Sequence, residues 1–244
     1  ELVCSSNTWT ATLVGRLGYL ARITSVDVAD FFQTYFITTV GTYQSNRVCK
    51  LFMRNPLAVP PTNVLTEIDE DVIPAGASCC NFRGQLIIGG LQSNNIKWSH
   101  LGQCSVAWGG IGNTEFDPQV DPTAGFMKMP WDAQEQGLVY KVKPLGNSII
   151  VYGNRGIGRL VPYGTETAVG FGLEMIDYYG ILGYNAIAGD ENIHGYIDVN
   201  YDFRFEVIWS YRNLIQCSVY KLIYHHCYRS NDSVLQYSLI SIII

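Results

Sequence analysis

The chain has 244 residues, a formal net charge of −5 and only 15% charged residues, against 48% hydrophobic and 13% aromatic. Such a chain is long and apolar enough for a sizeable core and is not disordered. It carries no basic stripe of the kind that binds nucleic acid and no apolar run of about 18 residues that would span a membrane as a helix. The charge content is well below the usual quarter or so. Either part of the surface is buried against other subunits, or it is covered by Asn, Ser, Thr, Gln and Tyr.

Strand signals begin at residues 31–40, a β-branched and aromatic run ending in Gly41. Residues 85–88 end in Gly89 and Gly90, residues 148–152 end in Gly153, and residues 193–198 end in Val199 and Asn200. With Phe36, Leu86, Ile149 and His194 as anchors, the steps are 50, 63 and 45 residues. The long step holds a Gly/Pro-rich insertion over residues 108–130, read as neither regular strand nor helix, and without it the period returns to the forties. A second strand follows each anchor, at residues 47–52, 95–99, 156–161 and 203–207. A hairpin every 40–50 residues predicts an all-β fold, a partial β-propeller of about four hairpin-based blades, with a β-sandwich as the alternative. One blade cannot bury both faces alone and must stack on its neighbours. Residues 66–72, with the acidic run Glu67-Ile68-Asp69-Glu70-Asp71, are read as a solvated loop.

The propeller region is expected over residues 1–207, with an atypical segment at 208–244. That last segment has no Gly or Pro, although the preceding residues hold all 24 and all nine, and its charge balance turns positive. The abrupt change predicts that it is not native to the fold, the alternative being a C-terminal β extension. The start at Glu1 without Met predicts a fragment. Seven cysteines, Cys4, Cys49, Cys79, Cys80, Cys104, Cys217 and Cys227, are an odd number without a CxxC. They predict unpaired buried thiols in a reducing cytoplasm.

The chemical motifs are weak. Asp198-Val199-Asn200-Tyr201-Asp202 has calcium-loop spacing, but Phe203 and Trp209 stand where Gly and a bidentate Glu are needed, so a turn is expected. Gly153-Asn154-Arg155-Gly156-Ile157-Gly158 has the wrong spacing for a dinucleotide site and reads as a hairpin turn with positive φ at Gly153 and Gly156. His225, His226 and Cys227 lack partners at metal-finger spacing, and His100 and His194 are single histidines. Asp117 and Asp121 are a conceivable carboxylate pair in a proline-flanked loop. No catalytic, cofactor or metal residue is assigned, and the chain is expected not to be an enzyme. The apolar content of the insertion singles out Trp108, Phe116 and Phe126, with Trp131 at its base, as residues that contact a partner. Trp98 is expected in the core.

Residues 77–207 resemble the β-propeller of structural proteins of tailed bacteriophage particles. The resemblance lies in Asn81–Gly90 (NFRGQLIIGG), Ile96-Lys97-Trp98-Ser99, Ala124-Gly125-Phe126, the stretch 137–153, Gly156-Ile157-Gly158-Arg159-Leu160 and Gly180-Ile181-Leu182-Gly183. It covers a little over half of the chain. It implies an assembly-forming virion component of the tail or neck, built in the host cytoplasm, without catalysis or cofactor. Its partners would be other virion proteins, copies of itself among them. The alternative is a carbohydrate-binding or glycoside-hydrolysing propeller.

Overall fold

The computed structural model describes residues 2–5, 8–11, 22–55, 64–70, 73–91, 94–102, 117–131, 137–165 and 168–207. The chain divides into a unit Glu1–Glu206 and a unit Val207–Ile244. The second lies outside the described residues apart from Val207, and with it the expectation for residues 208–244 and for His225, His226 and Cys227.

The first unit is a set of antiparallel sheets arranged as a β-propeller. Blade 1 contains β3 (Arg22–Phe31), β4 (Thr34–Tyr43), β5 (Asn46–Arg54) and β6 (Thr66–Ile68). Blade 2 contains β7 (Ser78–Phe82), β8 (Gln85–Leu91), β9 (Asn95–Trp98) and β10 (Gly125–Lys128). Blade 3 contains β11 (Val139–Leu145), β12 (Ser148–Gly153), β13 (Ile157–Thr165) and β14 (Ala168–Asp177). Blade 4 has three described strands, β15 (Ile187–Gly189), β16 (Ile193–Ile197) and β17 (Phe203–Val207). A separate hairpin, β1 (Leu2–Ser5) and β2 (Thr8–Ala11), precedes them.

Each blade is a meander closed by tight turns. Phe32 and Gln33 (φ 48° and 64°) join β3 to β4, and Gln44 and Ser45 (φ 48° and 68°) join β4 to β5. Two successive positive φ values give the turn a twist that matches its strands. The four anchors fall where the repeat placed them: Phe36, Leu86, Ile149 and His194 lie in β4, β8, β12 and β16, the second strand of each blade. All four are fully buried. Residues 47–52, 95–99, 156–161 and 203–207 coincide with the third strands, β5, β9, β13 and β17.

Two expectations change. The acidic segment is not all loop, because Thr66–Ile68 pairs with β5 as the fourth strand of blade 1, with Glu67 salt-bridged to Lys50. The insertion also contains a strand. Gly125–Lys128 pairs with β9, and Gly125 stands where a Cβ would meet the Trp98 ring at 2.5 Å, so a glycine is required there for packing. A Gly-rich sequence hides this strand because its glycine makes room for a neighbour's ring.

The core lies between blades. Ala29, Phe31, Phe36 and Leu51 of blade 1 pack with Cys79, Leu86 and Ile88 of blade 2. Cys80, Ile87, Ile96 and Trp98 of blade 2 pack with Val142, Ile149, Val151 and Leu160 of blade 3. At the next junction, Tyr152 of blade 3 stacks near His194 and Tyr196 of blade 4, with its Oη 2.9 Å from His194 Nδ1.

Candidate functional site

The first strands of blades start at one mouth of the array, and the turns between second and third strands lie at the same mouth. There Arg47, at the start of β5, donates from Nε to Tyr184 Oη (2.9 Å) and from Nη2 to Gly90 O (3.0 Å). The Tyr184 ring packs on Tyr140 at 4.4 Å between centroids. Asn185 accepts from Ser25 Oγ (3.2 Å) and donates to Thr24 O (3.0 Å), tying the loop before β15 to the start of β3. The Tyr184–Asn185 pair thus ties the loop leading into blade 4 to blades 1 and 3, and Arg47 extends the network to the blade 2 backbone at Gly90. Burial raises the pKa of both tyrosine hydroxyls, against the Arg47 charge.

Deeper in, Asp27 of β3 accepts a hydrogen bond from Ser78 of β7 and lies 3.2 Å from Lys141 Nζ of β11. Ser78 Oγ also accepts from the Val142 amide at 3.0 Å. Acid, hydroxyl and amine satisfy one another, as buried polar groups must. Burial and the Asp27 charge push the neighbouring Cys79 thiol up to about 12, and burial raises Cys80 as well. Neither is a thiolate at neutral pH. Cys49, Cys79 and Cys80 are unpaired, in line with the cysteine pattern, and the remaining cysteines lie outside the described side chains.

A second feature stands beside the mouth on blade 4. The loop 177–183 and the β16–β17 turn run side by side, with Val199 N donating to Gly180 O and Leu182 N to Ile197 O. Asp198 Oδ1 accepts the amides of Asn200 (2.8 Å) and Asp202 (3.0 Å), so the expected turn replaces the calcium loop. Arg204 locks the two segments together, with Nε 2.7 Å from Asp198 Oδ2 and Nη1 3.2 Å from Asp177 Oδ2. Burial opposes ionisation of Asp198, but the two amides and Arg204 hold its carboxyl below the usual range. On this braced frame Tyr178 and Tyr201 are 81% and 72% exposed, and Tyr179, Leu182, Val199 and Phe203 are exposed too. The sequence reading missed this surface. Its only signal was tyrosine and phenylalanine flanking a turn, which looks the same whether the rings face in or out.

The residues expected to meet a partner are dispersed. Trp108 and Phe116 lie outside the described residues. Phe126, on the outermost strand of blade 2, is 65% exposed and available. Trp131 is instead a core residue, 6% exposed, wedged where Cβ atoms on Gly153 and Gly156 would meet its ring at 2.7 and 3.1 Å. That packing, not positive φ, is what the two glycines provide, since neither has φ in the left-handed region. Trp98 is buried as expected. Asp117 and Asp121 do not pair as acid and base. Asp117 Oδ1 accepts the Gln119 amide, and Asp121 Oδ1 accepts the Thr123 amide and hydroxyl, so each shapes a local turn. Among the described residues, no three His, Cys, Asp or Glu side chains are grouped to hold a metal.

No protein-family model matches the chain, and neither does any curated protein sequence. Among solved structures it is similar to a subtype N10 neuraminidase-like protein of A/little yellow-shouldered bat/Guatemala/060/2010, with TM-score 0.36 and 8% identity over 76% of this chain and 59% of that one. It is also similar to a neuraminidase-like protein from A/bat/Guatemala/164/2009, with TM-score 0.39 and 8% identity over 76% and 54%. A subtype N11 neuraminidase-like protein of A/flat-faced bat/Peru/033/2010 (H18N11) gives TM-score 0.37 and 9% identity over 77% and 52%. The chain spans between 52% and 59% of the length of these three proteins. The propeller assignment rests on the sheets themselves.

Proposed function

We propose that this chain is a non-catalytic, assembly-forming β-propeller that docks a protein partner through the aromatic surface of blade 4. The observation that carries the reading is the exposure of Tyr178, Tyr179, Leu182, Tyr201 and Phe203 on two segments braced by Arg204. Exposed aromatic rings on a preorganised frame lose little freedom on binding and bury much area, which is the chemistry of interface hot spots. The non-catalytic reading is supported by two sets of polar side chains that are each already engaged, Arg47 with Tyr184 at the mouth and Asp27 with Ser78 and Lys141 deeper in. The setting follows the sequence resemblance, a tailed-phage particle, with another structural protein of that particle as partner.

The test is co-expression of the chain with the structural proteins encoded beside it, followed by sedimentation of the purified complexes. Tyr178→Ala/Tyr201→Ala is expected to weaken association at least about tenfold, since a hot-spot truncation costs over 1 kcal/mol, with the melting temperature unchanged. Hydrolysis of a fluorogenic glycoside, or glycan binding that the double substitution removes, would overturn the proposal in favour of a carbohydrate-directed propeller.

A further inference from the structure

The outermost strand of a blade carries a row of backbone N–H and C=O groups with no sheet partner, and shortness, proline and lysine are the usual guards against pairing with another chain. The outermost strands of blades 1 and 2 are short, since β6 has three residues and β10 four. The outermost strand of blade 3, β14, has ten, and among the described strands it pairs only with β13. It contains no Pro and no Lys, and Glu174 is its one charged residue before the terminal Asp177. Neither length, proline nor lysine blunts this edge.

The side chains of β14 sort to two faces. Phe171 is buried in the core between blades 2 and 3, and Leu173 and Met175 pack against that core but stay half-buried at its rim. On the other face Glu174 and Ile176 are exposed, and the Tyr163 ring, itself 64% exposed, lies across Gly170 and Gly172. The turn bond from Gly153 N to Gly156 O sets the alternation of the ladder. Val151 with Gly158 and Ile149 with Leu160 are then the bonded pairs of β12 and β13, so Arg159, Val161 and Tyr163 bond across to β14. Pro162, which has no N–H, accordingly stands opposite Phe171. Phe171, Leu173 and Met175 therefore turn their N–H and C=O groups to the free edge.

We propose that the free edge of β14 pairs antiparallel with β14 of a second copy of this chain, with the two-fold axis at Leu173. The strand is self-complementary in this register. Leu173 meets its own copy and Phe171 meets Met175 of the second copy, which covers the half-buried rim of the core on both sides of the axis. On the other face Ile176 of the second copy lies beside the Tyr163 ring over Gly170, and Glu174 of the second copy faces Gly172. An aromatic ring across an edge glycine is an arrangement that pins register. Moving the axis to Glu174 would set two carboxylates directly opposite each other, and moving it to Gly172 would set glycine against glycine. Backbone bonding along the added strand supplies the affinity, and two four-stranded blades become one continuous sheet. Self-association through blade 3 goes beyond the docking of another protein on blade 4 and uses a different strand.

The test is sedimentation equilibrium of the full 244-residue chain, expected to show a concentration-dependent monomer–dimer equilibrium. A Cβ at Gly172 meets nothing closer than Tyr163 at 3.7 Å, so the position accepts a side chain. Gly172→Glu sets a carboxylate opposite Glu174 of the second copy, twice by symmetry, and should weaken the dimer about tenfold. Gly172→Lys, of similar length and opposite charge, should keep or tighten it. Circular dichroism of both variants checks that the fold is retained. Under mild oxidation Leu173→Cys should cross-link between copies, because a bonded antiparallel pair has Cα atoms about 5.5 Å apart. Glu174→Cys, about 8 Å from its own copy in this register, should cross-link no more than the unsubstituted chain. Tyr201→Ala should leave the dimer unchanged. A monomer at all concentrations, equal effects of the two Gly172 variants, or stronger cross-linking from Glu174→Cys than from Leu173→Cys overturns the proposal. So does dissociation by Tyr201→Ala, because the copies then meet through blade 4, and so does hydrogen-exchange protection of Phe171, Leu173 and Met175 that is independent of concentration, because the chain itself then covers the edge.

Discussion

Gly180 and His194 show how narrowly single positions are constrained here. A Cβ on Gly180 would lie 2.2 Å from both Asn154 C and Gly153 O, backbone atoms that cannot turn aside. Gly180→Ala is therefore expected to lower stability by about 2 kcal/mol or more, in the range of severe overpacking, read as a reduced urea midpoint. His194 is fully buried between blades, and burial together with the nearby Lys143 charge lowers its pKa to about 4 from 6.5. The groups facing it are the Tyr152 hydroxyl, Lys143 and Asp190. The folded state keeps the ring neutral while the unfolded chain takes up a proton between pH 6.5 and 4. The contribution of His194 is thus fully present above pH 6.5, falls as pH drops through that window, and levels off below about 4. Full titration would cost about 3 kcal/mol at 1.4 per unit. Denaturant unfolding measured from pH 7.5 to 4.5 should show this slope, and His194→Gln should flatten it.

Within an element, the same residue type has different worth on its two faces. Leu86 in β8 is buried in the junction between blades 1 and 2, and Leu86→Ala should cost about 2–5 kcal/mol through lost transfer energy and a cavity. Val26 and Val28 of β3 are apolar too, but Val28→Ala in the isolated chain should stay within about 0.5 kcal/mol because its face is open. Urea titration of the two variants side by side checks the contrast. A loss at Val28 as large as that at Leu86 would mean that the face is already packed in solution. The alternation of β3 alone does not distinguish its two faces, since Ala29 and Phe31 are no more clearly core residues than Val26 and Val28.

At the scale of the molecule, Asn185 links the first and fourth blades through Ser25 and the Thr24 carbonyl. Two hydrogen bonds of this kind contribute about 1 kcal/mol each. Asn185→Ala is expected to lower the melting temperature by about 4–8 °C, at 2–4 °C per kcal/mol for this chain length. It should also speed hydrogen exchange in β3 and β15 while leaving β8 and β12 protected. Exchange that rises evenly through all blades would show that the loop supports the array as a whole.

The repeat of a β-branched strand, a turn and a second strand was legible because period-2 alternation and turn residues are local. It located the second and third strand of every blade, from Phe36 to Phe203–Val207. The short outer strands β6 and β10 were not legible, because Thr66–Ile68 sits in an acidic run and Gly125–Lys128 in a glycine- and proline-rich one, and both are strands through their pairing with β5 and β9. For the same reason, the roles of Trp131, Gly153 and Gly156 emerge only when residues far apart in sequence meet. The aromatic surface of blade 4 was decided by the tertiary structure alone. A tyrosine beside a turn has the same sequence signature in a core and on a surface, and only the position of its blade determines which way it faces.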